Sequence, residues 1–400
     1  MSASLDLPAA PPAPSRAGGR QRGATSRALA TRLGAPSLAA KVSSVRVPAV
    51  KVPTAARNAW NLTLGEGLEP YQPTPPTVIH EGPHRTLRKY DVPAGGNHDA
   101  HPVLLVPPLA VPISCFDLRP EQSLAQHLID TGHAPSVVDY GTISFADRDL
   151  GFEEWIDDII PAAIKRVSAE HGGAPIDVVA WCLGGTMTLL SAAAHPEQPI
   201  RSIATVATPI DYAKLPNLVP LRTAARFTGG RVTTYGTKLM GGMPAPFVKL
   251  TFRATAFQRE LKKPWFIARN LGNTETLARM ESIERFMGQM PGYPGRLYLQ
   301  LWQRIMLRND LAKGQLVLGD RRIDLRRVDK PVLAIAGTGD AITSVPAARH
   351  LATVLTGSPG IRFETAPGSH LGVLAGPGAP EHTWPHIDVF LAEQQAAARA

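Results

Sequence analysis

IDVVAWCLGGTMTLLSAAA, residues 176–194, decides how the rest of the chain reads. The stretch is almost wholly apolar or small and has the length of a membrane-spanning helix. Its internal order argues otherwise. Asp177 stands near the start and Gly184-Gly185 interrupt the middle. β-Branched residues crowd the first part and helix formers the second. The reading that satisfies all three is a buried strand over 176–181, a tight turn at Cys182 and a buried helix over 184–195. Such a turn lifts its central side chain above the carboxyl end of a sheet strand, where a nucleophile can work. The neighbours two before and two after must be small so that strand and helix can approach, and Ala180 and Gly184 are. The helix then aims its N-terminus at the Cys182 sulfur and favours the thiolate, the reactive form.

Outward from this stretch, strand-like and helix-like segments alternate. Strands are expected at 86–92, 101–109, 134–141, 176–181, 200–209, 331–337 and 361–367. Helices are expected at 120–133, 151–170 (with Pro161 as a kink), 184–195, 346–355 and 383–396. Continuous apolar strands separated by helices describe an α/β fold, a mostly parallel sheet covered by helices on both faces. The alternation lapses between 210 and 326, which reads as a cap or lid inserted between late strands. The expected organisation is a basic tail over 1–60, the first part of the core over 61–209, the cap over 210–326 and the second part of the core over 327–396.

A nucleophile needs a base, and the base an orienting acid. The strand PVLAIAG runs into T-G-D, placing Asp340 just past a strand end. The next strand, IRFETAP, runs into G-S-H and places His370 in the matching loop. His382 and His386 fall in or beside the last helix and read as surface residues. The expected catalytic trio is therefore Cys182, Asp340 and His370, in the order nucleophile, acid, histidine. An oxyanion hole takes two backbone N–H groups. One is assigned to Leu183. The other comes from the loop after the early strand, where Pro107 and Pro108 have no N–H, so Leu109 or Ala110 must supply it. Phe247, Leu250, Phe252, Trp265, Phe286 and Trp302 are candidates for an apolar acyl pocket in the cap. No metal or dinucleotide is expected: H-E-x-x-H and G-x-G-x-x-G are absent, and GRVTTYGTK (230–238) has the wrong spacing for a phosphate loop.

The 400 residues are 44% hydrophobic and 6% aromatic, enough for a sizeable core and unlike a disordered, collagenous or coiled-coil chain. Two cysteines build neither a disulfide framework nor a Cys-type zinc site. The net charge of +9 is concentrated at one end: residues 1–60 hold nine basic residues against Asp6 alone, so the remainder is near neutral. Nucleic acid is therefore not expected as a partner of the globule. The first 60 residues, rich in Ala, Pro, Ser, Gly and Arg, read as a disordered basic tail. A solvated tail accounts for them. Docking to an anionic membrane or granule surface and an organelle transit peptide are the functional alternatives. No apolar run behind a short basic region marks a secretory signal, and a cytoplasmic location, soluble or peripheral to a surface, is expected.

With these residues in place, the chain resembles the poly(3-hydroxyalkanoate) synthase family of α/β-hydrolase-fold proteins over roughly residues 60–392. The likeness is carried by LLVPPLAVPISCFDLRPEQSLAQHLIDTGH (104–133), AWCLGGTM (180–187), RNDLAKGQLVLGDRRIDLRRVDKPVLAIAGTGDAIT (308–343) and GSHLGVLAG (368–376). The resemblance implies an α/β-hydrolase fold with a cap, Cys182 as acyl acceptor, His370 as base and Asp340 as its partner. It implies hydroxyacyl-coenzyme A thioesters joined into polyester, with coenzyme A as carrier and leaving group and no resident cofactor. It further implies a second subunit, since some synthases of this length resemble one half of a two-subunit enzyme; a homodimer is the alternative, and lipid, granule or membrane-surface contact is expected through the basic tail. Three positions depart from the family pattern. Ala180 replaces a glycine, Ala341 follows the acid where His is usual, and ESIERFMGQMPGYPG (281–295) stands where a W-N-x-D segment is expected. Acyl transfer through Cys182 needs none of the three. A lipase, esterase or thioesterase would use the same trio with water as acceptor. A non-catalytic lipid- or granule-binding relative would show a broken trio.

Overall fold

The computed structural model describes residues 52–69, 73–91, 100–228, 231–255 and 257–399. The readings placed on residues 1–51, the disordered tail and its docking or transit roles, lie outside the described residues. Eight strands form the main sheet: β1 (Pro76–His80), β2 (Thr86–Tyr90), β3 (His101–Val106), β4 (His133–Asp139), β5 (Ile176–Trp181), β6 (Ile200–Val206), β7 (Val332–Gly337) and β8 (Ile361–Ala366). Their order is β1-β2-β4-β3-β5-β6-β7-β8. β2 is antiparallel to both neighbours, and every pairing from β4 to β8 is parallel. This is the α/β-hydrolase fold.

The continuous apolar strands bury both faces of the sheet, as the sequence demands. In β3 and β5, Leu104, Val106, Val178 and Ala180 pack into one core cluster. Their alternates Val103, Leu105, Val179 and Trp181 pack into the other. The helices that flank the site and build the cap are α1 (Val52–Thr63), α2 (Leu124–Asp130), α3 (Ile160–Glu170), α4 (Leu183–Ala194), α5 (Val219–Thr228), α6 (Arg231–Met240), α7 (Ala245–Thr255), α8 (Phe257–Asn270) and α9 (Thr274–Gly288), and a last helix spans Trp384–Arg399. The chain between β6 and β7 holds α5 to α9 and a separate antiparallel hairpin, Gln315–Leu318 with Arg321–Asp324.

Several elements differ from the sequence expectation for local reasons. β3 stops at Val106 because Pro107 and Pro108 cannot donate to a ladder. The helix expected at 120–133 spans only Leu124–Asp130, capped by Ser123, whose side chain accepts from the Gln126 N–H. The kink expected at Pro161 is a π-helical turn, Glu154–Ile159, which leads into α3 just before the proline. Residues 52–60, assigned by composition to the tail, form most of α1. Asn58 anchors that helix to the cap: it is fully buried, and its Nδ2 donates to the Leu271 carbonyl at 2.7 Å and to Thr274 Oγ1 at 3.1 Å.

A buried arginine ties the same region to the core. Arg119, on the loop before α2, donates to both carboxylate oxygens of Glu69 at 2.9 and 3.0 Å and to both of Glu275 at 2.7 and 3.1 Å. Glu275 opens α9, so one guanidinium holds the N-terminal segment and the cap against the sheet.

Candidate active site

Four loops at the carboxyl ends of β3, β5, β7 and β8 build the site. Cys182 follows β5 directly and caps α4 with φ 52° and ψ −122°, a left-handed backbone that a β-carbon residue adopts only under constraint. The constraint is visible. The Cys182 N–H donates to the Val206 carbonyl at 2.8 Å, and its own carbonyl accepts from Thr208 Oγ1 at 3.0 Å and from the Gly185 N–H at 3.0 Å. Gly184 is obligatory. A β-carbon there would lie 2.4 Å from the Val106 carbonyl oxygen and 2.7 Å from that of Pro107. The loop after β3 is therefore in backbone contact with the first turn of α4.

His370 and Asp340 meet as the sequence expects. His370 Nδ1 lies 2.7 Å from Asp340 Oδ2, with the carboxylate side chain fully buried. The other carboxylate oxygen accepts from the Ile342 and Thr343 N–H groups at 2.7 and 2.8 Å, which fixes its rotamer. The two loops are joined backbone to backbone. The Gly339 N–H donates to the Gly368 carbonyl at 3.1 Å, and Gly368 has φ 144° with a virtual β-carbon 2.7 Å from the Val373 nitrogen, a place for glycine alone.

Burial by itself would lower the imidazole pKa. The neighbouring Cys182 sulfur and the Asp340 carboxylate hydrogen-bonded to Nδ1 outweigh it and hold His370 above its ordinary value.

The structure brings Leu183, Leu109 and Ala110 to the same corner. Leu183 is the first residue of α4, so its N–H has no intrahelical acceptor. Leu109 and Ala110 are buried, and Ala110 takes φ 59° in the turn after Pro107-Pro108. Among the described residues, no hydrogen-bond acceptor is recorded for the N–H of either.

Cys182 and His370 open onto a cavity of about 210 Å³. Its wall is largely apolar, with Leu215, Leu218, Met243, Val248 and Leu301 among its members, and carries three tyrosines, Tyr212, Tyr293 and Tyr298. Burial pushes all three phenols upward, so they remain neutral hydrogen-bonding groups. The acyl-pocket residues expected from sequence are elsewhere. Phe247, Leu250 and Trp265 are exposed on the outside of the cap. Phe286 and Trp302 are buried in the interior and absent from the cavity wall. The Phe252 side chain lies outside the described residues. Aromatic content marked the cap as apolar without telling its inner from its outer surface.

Two contributors were not singled out beforehand. The Trp181 ring lies 5.1 Å from the His370 ring at a tilt of 35°, and its Nε1 donates to the His370 carbonyl at 3.3 Å. Thr208 supports the Cys182 carbonyl. The first stands directly before the nucleophile and could have been flagged; the second is set by the β6 loop and carries no sequence signal. Among the described residues, no three His, Cys, Asp or Glu side chains converge on a metal-sized site, and no helix is long and apolar enough to cross a membrane.

Comparison with known proteins places the chain beside one group. It is 25% identical over 324 residues to the poly(3-hydroxyalkanoate) polymerase subunit PhaC of Allochromatium vinosum, covering 80% of this chain and 89% of that one. It is 23% identical to the PhaC subunit of Thiocystis violacea, with 80% and 89% covered. Against the PhaC subunit of Cupriavidus necator the identity is 26%, over 81% of this chain and 59% of the relative. No family model matches the chain. Among solved structures, an esterase from Rhodococcus sp. ECU1013 superposes with a TM-score of 0.45 at 16% identity, covering 80% of this chain and 98% of its own. A thermophilic esterase from Thermogutta terrifontis gives 0.42 at 15%, with 81% and 99% covered.

Proposed function

We propose that this protein is a Cys182-dependent acyltransferase that takes hydroxyacyl groups from coenzyme A thioesters, as its likeness to poly(3-hydroxyalkanoate) polymerases suggests. The observation that carries the reading is the line from Cys182 through His370 to Asp340, opening into an apolar cavity.

In the first half-reaction the Cys182 sulfur, its proton held by His370, attacks the thioester carbonyl carbon. The carbonyl oxygen gains negative charge and is met by the Leu183 N–H and by that of Leu109 or Ala110. The carbon–sulfur bond to coenzyme A then breaks, and the departing sulfur leaves with the proton from the His370 imidazolium. Thioester exchange suits this site because attacking and leaving groups are chemically alike. In the second half-reaction His370, now neutral, takes the proton of an incoming hydroxyl as its oxygen attacks the acyl-Cys182 carbonyl. Collapse of that intermediate releases the ester and returns the thiolate beside imidazolium. Asp340 keeps Nδ1 protonated throughout, so the other ring nitrogen does the work. The cavity wall offers no second base, since its phenols are held neutral. Coenzyme A is substrate and leaving group, and the mechanism calls for no metal or resident cofactor.

A second reading is an ester or thioester hydrolase on the same trio, favoured by Ala341 and by residues 281–295, where the chain departs from the polymerase pattern. Single-turnover mass spectrometry with 3-hydroxybutyryl-coenzyme A and with a long-chain acyl-coenzyme A tests both. An acyl adduct on Cys182, absent from Cys182→Ala, is the expected result. Ester or polyester as product supports transfer, and free acid supports hydrolysis. No adduct and no released coenzyme A with either substrate overturns the thioester reading.

A further inference from the structure

The cap carries an unusual combination of charge and exposed apolar side chains. Residues 219–272 contain ten basic residues and a single acid, Glu260, whereas residues 52–218 and 273–400 together hold 24 basic residues against 31 acidic ones. The positive charge of the globule is thus gathered on α5 to α8. Most of the large exposed hydrophobics of the described residues lie on the same helices. On α6, Tyr235 and Leu239 are one turn apart and 71% and 85% exposed. On α8, Leu261 and Trp265 are one turn apart and 66% and 70% exposed, with Lys262 and Arg269 exposed beside them. On α7, Phe247 and Leu250 are exposed in the same way. Pairs at this spacing share a helix face.

We infer that the outer face of the cap is a docking surface for an anionic lipid layer. Three consecutive helices each present an apolar pair to water, a pattern costly for a soluble surface unless something covers it. Arg253 and Lys263 are paired with Glu284 of α9, and the exposed Lys238, Lys262 and Arg269 choose among coverings: their charge complements phosphate headgroups, while Trp, Tyr and Leu suit the boundary between headgroup and acyl chain. An acidic protein partner would satisfy the charge but gives no reason for so many separate apolar side chains. α7 links this face to the site. Its Val248 and Thr251 line the Cys182 cavity, while Phe247 and Leu250 are exposed. The same helix therefore contributes both to the cavity and to the proposed lipid contact, and an apolar acyl substrate would reach the cavity from the lipid side. The inference does not depend on the acyl-transfer reading, because it is tested by partitioning and not by turnover.

The test is sedimentation of the full chain with vesicles of phosphatidylcholine containing about a third phosphatidylglycerol, and with phosphatidylcholine alone. The comparison protein carries Leu239→Ser, Leu261→Ser and Trp265→Ser. All three positions are exposed, so the fold should be kept, and circular dichroism and Cys182 alkylation with iodoacetamide check that it is. Residues 1–51 are the same in both proteins, so attraction through their basic residues cancels. The parent is expected to partition onto the anionic vesicles and little onto the neutral ones. The triple variant should partition about tenfold more weakly, because three apolar side chains no longer enter the interface. Equal partitioning of parent and variant would overturn the inference and assign binding to the residues before α1. Failure of the parent to bind anionic vesicles would also overturn it. So would light scattering that shows a parent dimer dissolved by the same three changes, which would make a second copy the covering.

Discussion

Gly184→Ala is the perturbation that most directly probes how the site is assembled. The added β-carbon would stand 2.4 Å from the Val106 carbonyl oxygen and 2.9 Å from the Pro107 carbonyl carbon, all backbone that cannot rotate away. An ordinary carbon–oxygen contact is about 3.3 Å, so the start of α4 and the loop after β3 must separate by about 0.9 Å. Those two segments carry Leu183 on one side and Leu109 and Ala110 on the other, so the displacement opens the proposed oxyanion hole. Misplacement on that scale costs about a hundredfold in rate. Stability changes less. Overpacking costs about 1–3 kcal/mol, and replacing glycine within a helix returns about 1 kcal/mol. The variant should therefore fold, melt within a few degrees of the parent and still be alkylated at Cys182 by iodoacetamide, while the rate of acyl-Cys182 formation from an acyl-coenzyme A falls about a hundredfold. Parent-like acylation would refute the argument, because it would mean that the contact between these loops does not place the donors.

Three further substitutions read separate parts of the site. Asp340→Asn removes one of the charges that hold His370 above its ordinary value, so the pH at which the imidazole loses its proton should fall, as followed by NMR of the ring nitrogens; acyl transfer should drop by about 10³–10⁴ as the ring tautomer is lost. An unchanged titration would deny the pairing. Thr208→Val takes away one of the hydrogen bonds to the Cys182 carbonyl and should slow acylation about fivefold, a loss of about 1 kcal/mol, with little change in substrate affinity; a change confined to affinity would argue against a role in holding the turn. Arg119→Ala cuts both carboxylates loose and should cost about 2 kcal/mol in denaturant unfolding, while faster proteolysis at α1 and α9 would mark the cap as the part released. Even loss across the whole chain would show that the arginine is no latch.

The sheet and the site were legible to different depths. Strands buried on both faces announce themselves as apolar runs, and β3, β5, β6 and β7 were found that way. β1 was missed because PTVIH is a mostly exposed edge strand with no run to see. Cys182, Asp340 and His370 could be placed because each follows a strand end, where the architecture leaves little choice of position. The cavity wall could not. In α7 the inward Val248 is flanked by the outward Phe247 and Leu250, so apolar residues occupy both faces and periodicity has no single phase to report. Tyr212, Tyr293 and Tyr298 reach one cavity from opposite ends of the cap, a convergence that depends on its fold and on no local pattern.

The same wall bears on how a chain could be lengthened. Polyester growth needs somewhere to keep the growing chain while the next hydroxyacyl unit is loaded. Two thiols in one cavity would provide that, but this protein has two cysteines and only Cys182 reaches the cavity. Cys115 is fully buried after β3, and burial pushes its thiol well up, so it stays protonated and out of reach. Were this chain to build polyester, growth would then proceed by release of each ester product and its return as the attacking hydroxyl, or through the Cys182 of a second copy. Saturating acyl-coenzyme A should accordingly give one adduct per chain. Loss of elongation on dilution, with first acylation unchanged, would select the second copy; elongation indifferent to dilution would select release and return. Two adducts on one chain would refute the argument, since they would place Cys115 within reach of substrate.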